Sequence, residues 1–450
     1  MAGLAKPGDC GRGLRGWQRR VRGLIGLGGT RGFRVVSLPS ALACERGPAS
    51  RLEEWALVNR RAIITVATRN YAHFAQVVLA SCRAAHPEAD LFVCYADRPP
   101  DDWTETVPGV QVIHGDQLGI PDWRRVAFQY TPFELSCAIK PHAMRRLLEL
   151  GYQEIVYLDA DTVVYGPLAE VFESLAHSSI VLTPHLLNVL PDDGRRPHER
   201  AFLVSGTFNA GFLALRSDDV ARRFLAWWQS MVSRSCFVDL AGSLFVDQKW
   251  LDLVPGLFEG VHVLRHPGYN AGHWSLSQFP FEPLEDSGQT SSGVAVDGRP
   301  LVLFHFSGMT PAAPNEYLSS QNRTSLAEIP PLLRLTTRYH ADLAASGMSR
   351  CESWGCEFDR LSDGTTIHPA WREAVRRRHA GFTGIADPFD VASQPHLLSR
   401  YRSIRGVAVK WRRDWQLRWP RERGIAGQVR KANKSFKSML RLFRGRSKSA

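Results

Sequence analysis

The 450-residue chain contains no run of 18 or more apolar residues, so its sequence predicts no membrane-spanning helix. The arginines at its amino end (Arg12, Arg15, Arg19, Arg20 and Arg22) precede glycine-rich sequence instead of an apolar stretch and cleavage site, which argues against a secretory signal. Gly11, Gly13 and Gly16 match G-x-G-x-x-G, but no strand precedes them, so a dinucleotide site is not expected there. Among eight scattered cysteines the one close pair is Cys351 and Cys356, with no second pair at zinc spacing. Thiols inside apolar runs, such as Cys94 in Leu91–Tyr95, fit a reducing compartment. Acidic residues are scarce at the two ends. Residues 1–61 hold 12 Lys/Arg against 4 Asp/Glu and residues 400–450 hold 17 against 2, a charge of +8 and +15. Taking both from the total of +12 leaves −11 for residues 62–399. An acidic body with basic ends argues against a nucleic-acid-binding core, whose positive potential would lie on the folded domain.

The body itself alternates strand and helix. Ala62–Ala67 is a buried-type strand, Thr68–Tyr71 the loop after it, and residues 72–85 an amphipathic helix. Strands at Leu91–Tyr95 and Val110–Ile113, a helix over 133–150 and a strand at Glu154–Leu158 follow. This order predicts an α/β fold on a mostly parallel sheet, with ligands bound beyond the carboxyl ends of the strands. Asp159-Ala160-Asp161 occupies that position, with apolar Val163-Val164 directly behind it. Carboxylates at the edge of a core need a compensating cation or hydrogen bonds. Hard ions such as Mg²⁺ and Mn²⁺ prefer oxygen ligands shared with phosphate, so the motif points to a metal–diphosphate site, against a solvated turn. Further on come a helix at Pro167–Ala176, a strand at Ile180–Thr183, a polar loop over Pro191–Arg200 and a strand Thr207–Arg216 interrupted by Asn209-Ala210-Gly211. A small step inside an apolar strand marks a close approach to a ligand. Asp218–Ser233 reads as a helix, and Asp247-Gln248 opens another. Tyr269-Asn270 and the strand Leu301–Gly308, with a lone His305, follow.

In order, these motifs resemble the nucleotide-sugar glycosyltransferases of the GT-A fold, and within them the glycogenin-like and bacterial lipopolysaccharide galactosyltransferase group (family 8). The resemblance covers residues 60–310 and implies a Rossmann-like mixed sheet with helices on both faces. It implies a Mn²⁺ or Mg²⁺ ion held by Asp159, Asp161 and His305, where His305 alone would read as a core histidine. Thr68 and Tyr71 would contact base and ribose, and Lys140 the diphosphate, unless it is an exposed helix lysine. Asn209, Ala210, Gly211, Asn270 and Gly308 would line the nucleotide-sugar site. Asp247 and Gln248 would be the catalytic pair near the anomeric carbon, with a helix N-cap as the competing role for Asp247. The family's His-x-x-Gly often runs on to Lys-Pro-Trp, whereas here Met309-Thr310-Pro311-Ala312-Ala313 follows.

The expected organisation is a poorly ordered basic segment (1–58), a GT-A domain (59–310), an accessory α/β subdomain (311–395) and a basic helical tail (396–450). Within 311–395, residues 325–345 and 371–379 read as helices and 358–367 as strand, turn, strand. In the tail, Trp411, Trp415 and Trp419 share one helical face among lysines and arginines, the pattern of helices lying on anionic membrane. The sequence therefore predicts a metal-dependent transferase, peripheral to the cytoplasmic face of a membrane. It would move a sugar from a nucleotide-diphosphate donor, UDP by resemblance, to a cell-surface glycan or lipid-linked acceptor. The competing readings are an inactive GT-A-fold protein binding membrane or partner, and a haloacid-dehalogenase-like phosphatase, whose nucleophile loop Asp159-x-Asp161 also fits.

Overall fold

The computed structural model describes residues 60–284, 290–308, 321–378 and 382–404, all within the compact unit Leu52–Ala450. The basic amino-terminal segment with its glycine motif, the Met309–Ala313 continuation and the tail beyond residue 404 lie outside the described residues.

Strand β1 (Arg61–Ala67) leads through a 3-10 turn at Arg69–Tyr71 into α1 (Ala72–Ala85). There follow β2 (Asp90–Tyr95), β3 (Val110–His114), α2 (Trp123–Gln129), α3 (Pro132–Glu149), β4 (Glu154–Leu158) and the short β5 (Thr162–Val164). Next come α4 (Ala169–Leu175), β6 (Ile180–Pro184), α5 (Glu199–Ser205), β7 (Phe208–Arg216), α6 (Asp219–Ser235) and β8 (Val261–Val263). Seven strands form one sheet in the order β8-β6-β7-β4-β1-β2-β3. All pairs are parallel except those of β7, which runs antiparallel to both β4 and β6. This is the mixed, mostly parallel α/β sheet expected.

Strand alternation divides the core between the two faces. Ile63, Val156 and Leu158 face α1 and α4 with Val78, Leu79, Val171 and Leu175. Ala62, Ile64, Ile155 and Tyr157 face α3 and α6 with Leu135, Met144, Phe224 and Trp228. A second small sheet pairs β5 antiparallel with β9 (Leu303–His305), so the last strand of the domain returns beside the Asp-x-Asp turn.

Local chemistry sets the boundaries. Thr131 and Glu134 form a reciprocal capping box that fixes the start of α3. Helix α4 starts two residues later than Pro167, with Leu168 at its N-cap donating its amide to His86 Nε2 at 3.0 Å. The polar segment over Pro191–Arg200 ends inside a helix, since α5 starts at Glu199. Beyond residue 320, α7 (Pro330–Ala345), α8 (Met348–Trp354) and α9 (Pro369–Arg376) pack on the domain. Residues 358–367 do not form two strands. Only an Arg360–Thr366 bridge remains, because Ser362 N is drawn to Phe389 O. The described part of 321–404 is therefore helical and shares cores with the sheet's own helices: Tyr401, Phe389 and Trp371 join the α3 side, and Tyr339 and Leu343 pack with Phe304 and Phe306. Cys351 and Cys356 are buried and unbonded to each other. Among the described residues no helix is long and apolar enough to cross a membrane.

Candidate active site

The Asp-x-Asp turn is held by backbone on both sides. Asp159 N donates to Gly211 O (2.8 Å), extending the β4–β7 ladder by one step. The turn closes with Thr162 N and Oγ1 both donating to Asp159 O, at 3.2 and 2.8 Å. On its far side Phe306 N donates to Asp161 O at 2.8 Å, and His305 stands opposite Thr162 in the β5–β9 register. The fold thus brings residues 144 positions apart together, and His305 Nε2 lies 2.9 Å from Asp161 Oδ1. Ligand atoms of Asp159, Asp161 and His305 all fall within 4.8 Å of one another. Two carboxylates and an imidazole at this spacing suit a hard to borderline divalent ion.

His305 is buried, and its other nitrogen, Nδ1, faces Asn270 Oδ1 at 3.3 Å. An amide oxygen only accepts, so Nδ1 carries the proton and Nε2 is the atom turned to the carboxylates. Burial lowers the imidazole's pKa, but the adjacent Asp161 outweighs it and the net shift is upward. Burial likewise opposes the charge on Asp161, and His305 outweighs it, so that carboxyl shifts down. Each thus favours the charged form of the other.

Lys140 is not an exposed helix lysine. It is 4% exposed on the inner face of α3, one residue before Pro141. Its ammonium sits 2.9 Å from Asp159 Oδ1, 3.1 Å from Asp247 Oδ2 and 3.2 Å from Ala210 O, over the Tyr157 ring. Burial works against its charge, but the two carboxylates more than compensate and its pKa is raised well above the ordinary value. Tyr157 adds a hydroxyl hydrogen bond to Asp159 Oδ1 at 2.6 Å. Asp247 is 1% exposed and makes no side-chain cap on the 3-10 turn that follows it, so the capping role fails. Burial pushes its pKa up despite Lys140. Gln248 is a strut: its Oε1 accepts from Ala210 N (3.1 Å) and its Nε2 donates to Ser205 O (2.9 Å).

The wall beside this cluster is a closed amide network. Asn209 Oδ1 accepts from Gly211 N (2.8 Å) and from Asn270 Nδ2 (3.1 Å), while Asn270 Nδ2 also reaches Thr183 Oγ1 (2.8 Å). Asn270 holds this place with φ +49°, a left-handed conformation that asparagine tolerates. Gly211 has a steric reason: a Cβ there would run into the His305 ring and lie 2.7 Å from Asn209 Oδ1. Thr68 is buried with its hydroxyl donating to Asn70 Oδ1 (2.8 Å), and Tyr71 stacks on Phe74 at 5.0 Å. Gly308 follows His305 with φ +70°.

Three participants escaped the motif reading. Asp97, just past β2, is 3% exposed and anchors the nucleotide-loop candidate through Arg69 N at 2.7 Å. Burial raises its pKa. His185, just past β6, meets Asn209 Nδ2 through Nε2 at 3.0 Å, and Thr183 precedes it. All three lie at carboxyl ends of sheet strands, so the positional rule that drew attention to Asp159 could have found them.

No family model matches the chain. It is 28% identical over 199 residues to the uncharacterized protein YfnF of Bacillus subtilis, a match covering 44% of this chain and 63% of YfnF, under two thirds of that protein's length. Among solved structures it is similar to the galactosyltransferase LgtC in complex with donor and acceptor sugar analogs: 16% identity, 63% of this chain, 95% of the other, TM-score 0.38. It is also similar to the glycosyltransferase GlyE of Streptococcus pneumoniae: 15% identity, 65% of this chain, 64% of the other, TM-score 0.38. At TM-scores of 0.38 these likenesses carry no argument, and the reading of fold and site rests on the sheet topology and the geometry of the residues themselves.

Proposed function

We propose that the protein is a metal-dependent glycosyltransferase that moves a sugar from a nucleotide-diphosphate donor, UDP-linked by resemblance, to a glycan or lipid-linked acceptor. The observation that carries this reading is the convergence of Asp159, Asp161 and His305 at the carboxyl end of the sheet, beside the buried Lys140–Asp247 pair. Bound there, Mn²⁺ or Mg²⁺ would neutralise charge on the departing diphosphate. The chain's own groups do the rest. Thr68 and Tyr71 hold base and ribose. Lys140 orients Asp159 and sets a positive charge next to the phosphates. Asn209, Asn270 and the Ala210-Gly211 backbone form the wall for the donor sugar. Asp247, buried beside Lys140, stabilises positive charge developing on the sugar ring, and Gln248 fixes the strand that carries the wall. Peripheral attachment to anionic membrane through the basic carboxyl-terminal residues belongs to the same proposal, and places the acceptor near lipid.

A panel of sugar nucleotides assayed with and without Mn²⁺ tests the reading. Metal-dependent hydrolysis or transfer with one donor is the expected result, and no turnover with any donor would sink it. Deleting residues 405–450 should release the protein from vesicles containing anionic lipid; unchanged binding would remove the membrane attachment.

A further inference from the structure

Helix α7 lies outside the sheet domain, yet it places one polar group against the site. Tyr339 is 3% exposed, and its ring stacks on Phe306 with centroids 4.1 Å apart and planes 13° from parallel. Phe306 is the residue after His305, and its amide holds the Asp161 carbonyl. On its other side Tyr339 meets Phe74 at 6.3 Å, which stacks under Tyr71 of the nucleotide-loop candidate. The phenol ring thus bridges Phe306, next in sequence to His305, and Phe74, which stacks on Tyr71. Its hydroxyl has no hydrogen-bond partner among the described residues. Leaving a buried hydroxyl unpaired is costly, and native interiors rarely do so without reason. The rings it packs on toward the site, Phe306 and Phe74, carry no polar atom that could pair with the hydroxyl.

We infer that Tyr339 is a ligand-binding residue of the donor site, its hydroxyl donating to an anionic oxygen of the bound nucleoside diphosphate. This inference rests on the function proposed above and adds a contact from the carboxyl-terminal region, which the sequence motifs do not reach. Burial first, and then the Asp161 carboxylate, Tyr165 and Tyr71, push the phenol's pKa well above its ordinary value. The group therefore stays protonated and remains a donor across the working pH range.

Tyr339→Phe keeps the ring and removes only the hydroxyl. Thermal unfolding without ligand, Mn²⁺ binding alone and UDP binding in saturating Mn²⁺ are measured by scanning and titration calorimetry on the full chain. The unliganded variant should unfold at the same or a higher temperature, since an unpaired polar group has gone. Its affinity for Mn²⁺ should match the wild type, and its affinity for UDP should fall roughly tenfold or more. Unchanged UDP affinity overturns the inference, and so does an equal loss of Mn²⁺ affinity, which would mean that the hydroxyl acts through Phe306 and His305. Failure of the wild type to bind UDP with Mn²⁺ would instead overturn the underlying functional reading, and this inference with it.

Discussion

Replacing Lys140 by methionine isolates the electrostatic centre of the site. The ammonium lies 2.9 Å from Asp159 Oδ1 and 3.1 Å from Asp247 Oδ2, and neither Lys140 nor Asp247 is more than 4% exposed. At about 3 Å and an effective dielectric near 20, each pair is worth about 5 kcal/mol before desolvation is counted. Desolvation consumes much of that, so the net contribution of the pair is small. Removing one partner is another matter, because Asp247 would be left buried and unpaired at a cost of about 3–5 kcal/mol. Lys140→Met should therefore lose about that much in urea unfolding. Asp247→Asn leaves Lys140 its partner Asp159 and should cost less, about 1–3 kcal/mol. The double variant has no unpaired buried carboxylate at 247 and should be more stable than Lys140→Met alone. The cycle then yields a coupling energy of about 2 kcal/mol or more. Additive losses within about 0.5 kcal/mol would refute the reasoning, for they would mean that the two groups stabilise the fold independently.

Three other expectations can be checked separately. Gly211→Ala should displace the His305 ring, costing about 1–3 kcal/mol in stability through overpacking and lowering Mn²⁺ affinity; calorimetry on a variant that binds Mn²⁺ normally would contradict the steric argument. Burial lowers the pKa of His73, His142 and His273 to about 4 and of His185 to about 3. Their folded values lie below the unfolded one, so this stability is full above about pH 6.5 and is lost as pH falls, by about 2 kcal/mol per histidine at pH 5. Unfolding midpoints in urea should drop steeply between pH 7 and 5, and a flat profile would show that these imidazoles are not held neutral. Replacing Asp97 by alanine should loosen Arg69 and the Thr68–Tyr71 turn and weaken UDP binding while sparing Mn²⁺ binding; titration with each ligand checks both halves.

Much of this was legible in the sequence, for definite physical reasons. Residues 72–85 form a helix with the boundaries read from periodicity, because apolar spacing and the strands on either side agree. The Asp-x-Asp, Asn209-Ala210-Gly211 and His305 elements stood out because each places polar or small residues inside an otherwise apolar strand. The antiparallel direction of β7 was hidden, since a strand buried on both faces reads alike either way. Burial of Lys140 was only half legible: its apolar neighbours hinted at it, but its carboxylate partners lie 19 and 107 residues away. Tyr339 was the least legible, because a tyrosine on an apolar helix stripe looks like ordinary core until the fold lays it on Phe306. The strand–turn–strand at 358–367 shrank to a tight turn closed by Leu361 N on Thr365 O and Ile367 N on Asp359 O, with Ser362 N drawn away to Phe389 O, a competition invisible to local pattern.

If Asp159, Asp161 and His305 together form a metal–diphosphate anchor, UDP should bind only when Mn²⁺ is present, and Asp161→Ala should abolish that binding in a variant that still unfolds cooperatively. Titration of UDP into both proteins with and without Mn²⁺ decides the matter. UDP binding of equal strength without metal, or binding that survives Asp161→Ala, would rule the anchor out.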